Sequence, residues 1–287
     1  MSIGQDSGLA PGLYLLATPI GNARDITLRA LDILRDAAVL AAEDTRSLRR
    51  LMELHGLSPG GRPLLAYHDH NGAKMRPRLL AELAAGRSVA YASEAGTPLV
   101  ADPGYQLVRE AVAAGHPVTA APGPSAALAA LTVAGLPTDR FLFAGFLPAA
   151  AGQRRRALEE LAEVPATLVF YESPRRLAAM LSDAAAALGP GRPAAVCREL
   201  TKRFEECRRA PLGELAQALA AEPVKGEVVV LIGRGRSETV SDSELENELE
   251  AALGTMSVRD AADAVARATG APRRRVYQLA LRKERGE

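Results

Sequence analysis

The feature that most constrains this chain is an alternation running through its first 120 residues. Short apolar runs at Leu13 to Ala17, Ala37 to Ala42 and Val89 to Ala92 are separated by stretches whose apolar residues recur at helical spacing. Strands that alternate with crossover helices wind into a parallel sheet. Leu28, Leu31 and Leu34 mark one crossover helix; Leu107, Val108, Ala111 and Val112 mark another, which Gly115 stops. Trp is absent and aromatic residues make up only 4% of the chain, so the core has to be aliphatic, built on Leu, Val and Ala.

At 287 residues the chain exceeds one ordinary domain of roughly 100–200 residues, and two compact domains with an appendage are expected. The Pro/Gly-punctuated segment APGPSAALAALTVAGLP leads into new apolar runs at Phe141 to Ala144, Thr167 to Tyr171, Ala194 to Cys197 and Val228 to Ile232. This places an N-terminal α/β domain over 1–121 and a second over 122–236, the latter carrying an amphipathic helix through Leu177, Met180, Leu181, Ala184 and Leu188. Between Ser237 and Gly254 lie six acidic and no basic residues, whereas from Thr255 onward eight Lys/Arg face four Asp/Glu. So abrupt a change reads as an acidic linker leading to a C-terminal helical unit, together 237–287. Within that unit Ser257 caps a helix carrying Val258, Ala261, Ala262 and Val265, Gly270 ends it, and Pro272 opens a second, giving a helical hairpin.

The opening MSIGQDSGLA has neither a basic nor an apolar signal segment, and no run approaches the ~18–20 apolar residues of a membrane helix. A soluble, cytoplasmic protein without membrane association is expected. Cys197 and Cys207 lack CxxC spacing and a histidine cluster, so free buried thiols are expected rather than a zinc site. A formal net charge of +1 gives no global signature of nucleic-acid binding; any such signal is local.

Three Gly/Pro loops carry the chemical interest. Thr18-Pro19-Ile20-Gly21-Asn22 follows the first strand, where open α/β sheets form their binding crevice and a glycine admits close backbone approach. Ser93-Glu94-Ala95-Gly96-Thr97-Pro98, with Ala101-Asp102-Pro103-Gly104 behind it, offers small residues whose N–H groups can meet a carboxylate or ribose, and two carboxylates that can accept from hydroxyls or an amine. Ala121-Pro122-Gly123-Pro124-Ser125-Ala126 sits at the domain boundary, a usual place for small-molecule pockets. Each has an alternative as a mere turn or linker. None matches the dinucleotide GxGxxG or the GxxxxGK[ST] phosphate loop, so nicotinamide and nucleoside-triphosphate chemistry lose support.

In this order and spacing the three loops resemble those of the tetrapyrrole-methylase superfamily. GLYLLATPIGN with DITLRAL, AAEDTR, AYHDHN, SEAGTPLVADPGYQLV, APGPSAALAAL with AGLPTDRFLFAGFLP, FYESPRRL, CRELTKRFEE and KGEVVVLI resemble, together, its RsmI family from about Gly12 onward. The resemblance implies a fold of two α/β domains with a cofactor cleft between them, plus the small C-terminal helical unit. It implies S-adenosylmethionine as the only cofactor, held by Pro19, Gly21, Ser93, Glu94, Ala95, Gly96, Thr97, Asp102, Pro122, Gly123, Ser125 and Ala126, with no metal. The implied reaction is methylation of a cytidine 2′-hydroxyl in the decoding region of 16S ribosomal RNA, in the small subunit, by a homodimer. Three departures stand out: Glu94 where the family has Asp, Asp69 inside Tyr67-His68-Asp69-His70-Asn71 where it has Glu, and Leu48 where it commonly has Thr. Methylation of a corrin or porphyrin carbon, and a ribosome-binding factor without activity, are the competing readings.

A ribose hydroxyl ionises far above neutral pH, so transfer calls for close placement and a proton acceptor. Asp44 can accept a proton and Arg46 grip a phosphate, the alternative being that Asp44 caps a helix. His68, beside Asp69 and His70, suits RNA contact or a supporting hydrogen bond rather than metal, since spacing fixes no third ligand. Arg154 to Arg156, Arg175-Arg176 and the basic residues from Arg198 to Arg209 are expected to hold phosphates around the cleft, unless they are ordinary solvated faces.

Overall fold

The computed structural model describes residues 9–102, 104–222, 224–234, 242–269 and 271–285. The opening residues, Pro103, the expected end of the second domain at 236 and the expected helix stop at Gly270 lie outside the described residues.

The first unit runs β1 (Gly12–Leu16), α1 (Leu28–Asp36), β2 (Val39–Ala42), α2 (Thr45–Leu54), β3 (Leu64–Ala66), α3 (Gly72–Ala84), β4 (Ser88–Ala92), α4 (Tyr105–Ala113) and β5 (Val118–Ala121). Its sheet has the order β3-β2-β4-β1-β5 and every pairing is parallel. Alternate residues of each strand enter opposite layers: Leu16, Leu40 and Ala42 join one core cluster, while Leu13, Leu15, Val39 and Ala41 join the other. A parallel sheet sends the carboxyl ends of all its strands to one edge, and the loops after β1, β2 and β4 therefore emerge together. Strand β3, the apolar run expected before His68, and strand β5 complete its two sides.

The second unit runs α5 (Ala126–Ala134), β6 (Phe141–Phe146), α6 (Ala151–Glu159), β7 (Thr167–Glu172), α7 (Leu177–Leu188), β8 (Pro193–Arg198), β9 (Glu206–Pro211), α8 (Leu212–Ala221) and β10 (Val228–Ile232). Its order is β6-β7-β10-β8-β9, parallel only between β6 and β7 and antiparallel elsewhere. Helix α5 packs Ala127, Ala130, Leu131 and Ala134 against Val169, Ala195, Val229 and Leu231 of this sheet, and Ile20 of the first unit enters the same cluster. Strand β9 was hidden in the sequence because ECRRAP is charged on a half-exposed outer strand.

The acidic stretch is not a plain linker. Residues Asp242–Leu253 form α9, which packs with α10 (Val258–Thr269) and α11 (Arg273–Arg285) around a small core of its own. Leu245 and Leu249 stand four apart and are fully buried there, a helical stripe masked in the sequence by the glutamates between them. The unit is thus three-helical rather than a hairpin. Ser257 caps α10 as expected, accepting from the Asp260 N–H at 3.2 Å while its hydroxyl donates to the Asp260 carboxylate.

Candidate active site

The three Gly/Pro loops interlock at the carboxyl edge of the parallel sheet. Thr18 and Gly96 exchange two backbone hydrogen bonds of 3.0 Å, and the Thr18 hydroxyl donates to the Ser93 carbonyl at 3.2 Å. Gly96 is in the left-handed region (φ +81°), and a Cβ there would stand 3.3 Å from Ile20 Cγ2. The Thr97 hydroxyl donates to the Pro124 carbonyl at 2.9 Å, tying the second loop to the third. Asp102 Oδ1 accepts from the Tyr91 hydroxyl, the Leu99 N–H and the Gly104 N–H, holding a turn in which Leu99 and Ala101 both have positive φ.

Between this edge and the second sheet lies a cleft of about 1140 Å³. Of the sequence candidates, Pro19, Gly21, Asp44, Arg46, Ser93, Glu94, Ala95, Thr97 and Ala126 line it. Gly96, Asp102, Pro122, Gly123 and Ser125 stand outside the lining and shape the loops: a Cβ on Gly123 would be 3.0 Å from that of Ala17, and Ser125 caps α5. His68 is also outside the lining; its N–H donates to Asn71 Oδ1 at 2.9 Å, and its buried Nδ1 has no partner among the described residues.

Apart from Lys202, the facing wall holds none of the residues that the sequence marks for the cleft. It consists of Phe146, the residues 171–174 at the end of β7, Cys197 of β8, Leu200 and Lys202 of the β8–β9 turn, and the residues 226–229 at the start of β10. The motifs FYESPRRL, CRELTKRFEE and KGEVVVLI contain these residues, but nothing in their types alone marks a cleft. The turn is rigid: Glu199 and Thr201 have positive φ, and Glu199 Oε1 accepts from the Glu227 N–H and the Lys202 ammonium, both at 2.9 Å. Its tip reaches across the cleft mouth, where the Thr201 hydroxyl accepts from the Asn22 N–H at 3.1 Å. A Cβ on Gly21 would collide with Lys202 Cγ and come within 2.8 Å of Thr201 Oγ1. Glycine at 21 therefore admits this turn of the second unit.

At the end of β2 two adjacent carboxylates differ sharply. Asp44 caps α2, accepting from the Arg46 N–H at 2.7 Å and the Ser47 N–H, while the Arg46 guanidinium grips both its oxygens at 3.2 and 2.9 Å. These bonds, that of the Arg46 side chain foremost, hold the Asp44 carboxyl at about 2. The helix-cap reading is the one the structure shows, and so acidic a group is a weak proton acceptor. Glu43 is half-buried and its pKa is pushed up, first by burial and then by the Asp102 carboxylate, with Glu94 and Asp69 adding to this against a backbone hydrogen bond from Glu94. Leu48 is buried in the core of the first unit, so packing replaces the hydroxyl expected there.

Most of the expected phosphate-holding arginines are committed elsewhere. Arg154 is buried in an ion pair with Asp183 that Arg155 shares; Arg176 pairs with Glu172; Arg198 and Arg208 pair with Glu206; Arg209 donates to the Val133 carbonyl. Arg156, Arg175 and Arg203 remain exposed. Cys197 and Cys207 are free and face each other across β8 and β9 with their sulfurs 2.9 Å apart; Cys207 is half-buried rather than buried. Among the described residues no group of three or more His, Cys, Asp or Glu could hold a metal ion, and no helix is long and apolar enough to cross a membrane.

Residues 12–216 match the family of tetrapyrrole (corrin/porphyrin) methylases, and residues 239–284 match the RsmI C-terminal HTH domain. The ribosomal RNA small subunit methyltransferase I of Mesorhizobium japonicum is 50% identical over 95% of this chain and 92% of its own length. The chain belongs to the methyltransferase I family of the tetrapyrrole methylases. Other members of the same name are 43% identical in Pseudomonas aeruginosa, over 95% of this chain and 97% of the relative, and 41% identical in Escherichia coli, over 95% of each. Among solved structures, the methyltransferase CobJ matches with a TM-score of 0.60 at 20% identity over 79% of this chain and 95% of its own. Uroporphyrin-III C-methyltransferase of Thermus thermophilus, complexed with S-adenyl homocysteine, matches with a TM-score of 0.55 at 24% identity over 77% of this chain and 97% of its own. These likenesses show the methylase fold.

Proposed function

We propose that this protein methylates small-subunit ribosomal RNA, with S-adenosylmethionine as donor, at the 2′-hydroxyl of a cytidine in the decoding region of 16S RNA. The observation that carries the reading is the near full-length similarity to small-subunit methyltransferases, joined to a two-walled cleft that the interlocked loops line. The cleft suits the donor. Its lining carries five carboxylates (Glu43, Asp44, Glu94, Glu172 and Glu227) against three cations (Arg46, Arg50 and Lys202), a balance that favours a positively charged ligand. Its volume exceeds what most small ligands fill, leaving room for part of a second substrate. When bound, S-adenosylmethionine supplies an electrophilic methyl group on a sulfonium.

The chain's own residues divide the remaining work. Pro19, Gly21, Ser93, Glu94, Ala95, Thr97 and Ala126 touch the donor, while Gly96, Asp102, Pro122, Gly123 and Ser125 hold the loops that present them. Asp44 orients Arg46, whose paired side chain is 90% exposed and presented to RNA phosphate. His68, beyond the lining, supports the RNA side. The three-helix unit adds a docking surface through the exposed Arg259, Arg267, Arg274 and Arg282; Arg273, Arg275 and Lys283 pair with Asp263, Asp242 and Glu250 instead. A second copy of the chain covers the outer strand β6, where Phe141 and Phe146 are exposed. Such a substrate places the enzyme in the cytoplasm.

Incubation with methyl-labelled donor and small subunits from a strain lacking the enzyme tests the reading. Label is expected in RNA, at a linkage resistant to alkali because the hydroxyl that would cleave it is blocked. Label on a base, or no label in RNA despite normal binding to subunits, would overturn it.

A further inference from the structure

Two carboxylates stand side by side at the end of β2, and the reaction proposed above needs one proton acceptor. We propose that Glu43, rather than Asp44, takes the proton from the hydroxyl that is methylated. The inference rests on the reading of the reaction as O-methylation. Both residues line the cleft, but they have different acceptor capacity left. Asp44 spends both oxygens on the first turn of α2 and on the Arg46 guanidinium. Glu43 accepts, among the described residues, a single long hydrogen bond of 3.4 Å, from the Glu94 N–H to Oε2, and no Lys or Arg pairs with it. That bond ties the carboxylate to the loop expected to hold the donor, so acceptor and donor are positioned by the same backbone.

Its surroundings sharpen the difference. The charged and titratable groups nearest Glu43 are Glu94 and Asp102 from the second loop and its continuation, Asp69 beyond β3, and the buried hydroxyl of Tyr91 on β4. The three carboxylates and burial raise its pKa, and with it the basicity of the ionised form. In the step itself the ribose O–H bond breaks and its proton passes to a Glu43 oxygen. The freed electron pair on O2′ forms the new O–CH3 bond, while the carbon–sulfur pair returns to the donor's sulfur, which leaves uncharged. The Glu43 carboxyl then releases its proton to water.

The test compares wild type, Glu43→Gln, Glu43→Asp and Asp44→Asn. Each is titrated calorimetrically with S-adenosylhomocysteine and assayed in single turnover on small subunits across pH, and the Glu43 carboxyl is titrated by carbon-13 NMR in the ligand-free protein. Glu43→Gln is expected to keep S-adenosylhomocysteine affinity within threefold and to lose about 100-fold or more in rate, as removal of a general base does. Wild type should show an acid limb that coincides with the NMR titration, above the ordinary carboxylate range. Asp44→Asn should have a lower plateau but the same limb. Wild type that methylates ribose alongside a Glu43→Gln variant within threefold of it overturns this proposal alone; wild type that places no methyl on ribose overturns the reaction reading, and this proposal with it. Should Glu43→Gln fail to bind S-adenosylhomocysteine, Glu43→Asp decides: a displaced acid limb supports the proposal and an unmoved one overturns it.

Discussion

The two sheets of this enzyme meet at one cleft but contribute to it in different ways. The first is wholly parallel, so its strand ends and their loops crowd one edge; Gly96, Leu99 and Ala101, all at positive φ, lie in that region. The second is mixed, and its contribution comes from three separate places: the end of β7, the β8–β9 turn and the start of β10. Its most deeply buried ion pair, Arg154–Asp183 between α6 and α7, lies away from these, while Lys202, Glu199 and Glu227 tie the β8–β9 turn to the start of β10. The contrast teaches that topology decides where chemistry can gather: the parallel edge supplies the three loops and three of the five lining carboxylates, and the mixed sheet supplies a backing wall with Glu172 and Glu227 and a turn that packs over Gly21.

Substitutions on the two sides should therefore separate stability from chemistry. The largest effect is expected from Asp183→Ala, which strands Arg154 in a buried site; the loss should be about 3–5 kcal/mol in denaturant unfolding. The S-adenosylhomocysteine affinity of the molecules still folded should not change. Equal loss of affinity would break the distinction between the sides.

Gly96→Val should act the other way. A β-branched residue in the left-handed region costs roughly 1–2 kcal/mol or more and presses on Ile20, so calorimetry should show cofactor affinity weakened by about tenfold or more, with a smaller loss of stability than Asp183→Ala.

Asp44→Ala is expected to cost about 1 kcal/mol as a lost helix cap and to lower turnover by releasing Arg46, with cofactor affinity nearly intact. Because the native carboxyl lies at about 2, below its ordinary 3.8, the charged form stabilises the fold. That contribution is full above the ordinary carboxylate range and is lost as pH falls toward 2, so the stability gap between wild type and Asp44→Ala should narrow in acid melts.

The smallest effect on the cleft should come from truncation after Arg236, which removes α9, α10 and α11. These helices carry their own core and none of the cleft lining, so cofactor affinity should be unchanged. Affinity for subunits should fall, and its salt dependence should flatten as phosphate contacts are lost. Unchanged affinity and slope would leave the unit a purely structural appendage.

The parallel sheet was legible because its longer strands are apolar runs alternating with helical spacing, and the three loops because so many special residues cluster there. What stayed hidden has physical causes. Strand β9 is charged because it lies at the sheet's edge, and α9 reads as a linker because its Leu stripe is narrow and its other faces are glutamate. The roles of Arg154 and Arg176 depend on partners 29 and 4 positions away, which charge counting does not pair. Glu43 and Asp44 are adjacent and chemically alike, and only the fold shows that one caps a helix while the other keeps an oxygen for the cleft.

The most direct test of the central claim is to locate the methyl group. Small subunits from a strain lacking the enzyme would be treated with the pure protein and S-adenosylmethionine, and nuclease fragments of their RNA read by tandem mass spectrometry. The account predicts one new methyl group, on the ribose of a cytidine in the decoding region of 16S RNA. A methyl group on a base, on another nucleotide, or only on a small tetrapyrrole offered in competition would contradict it.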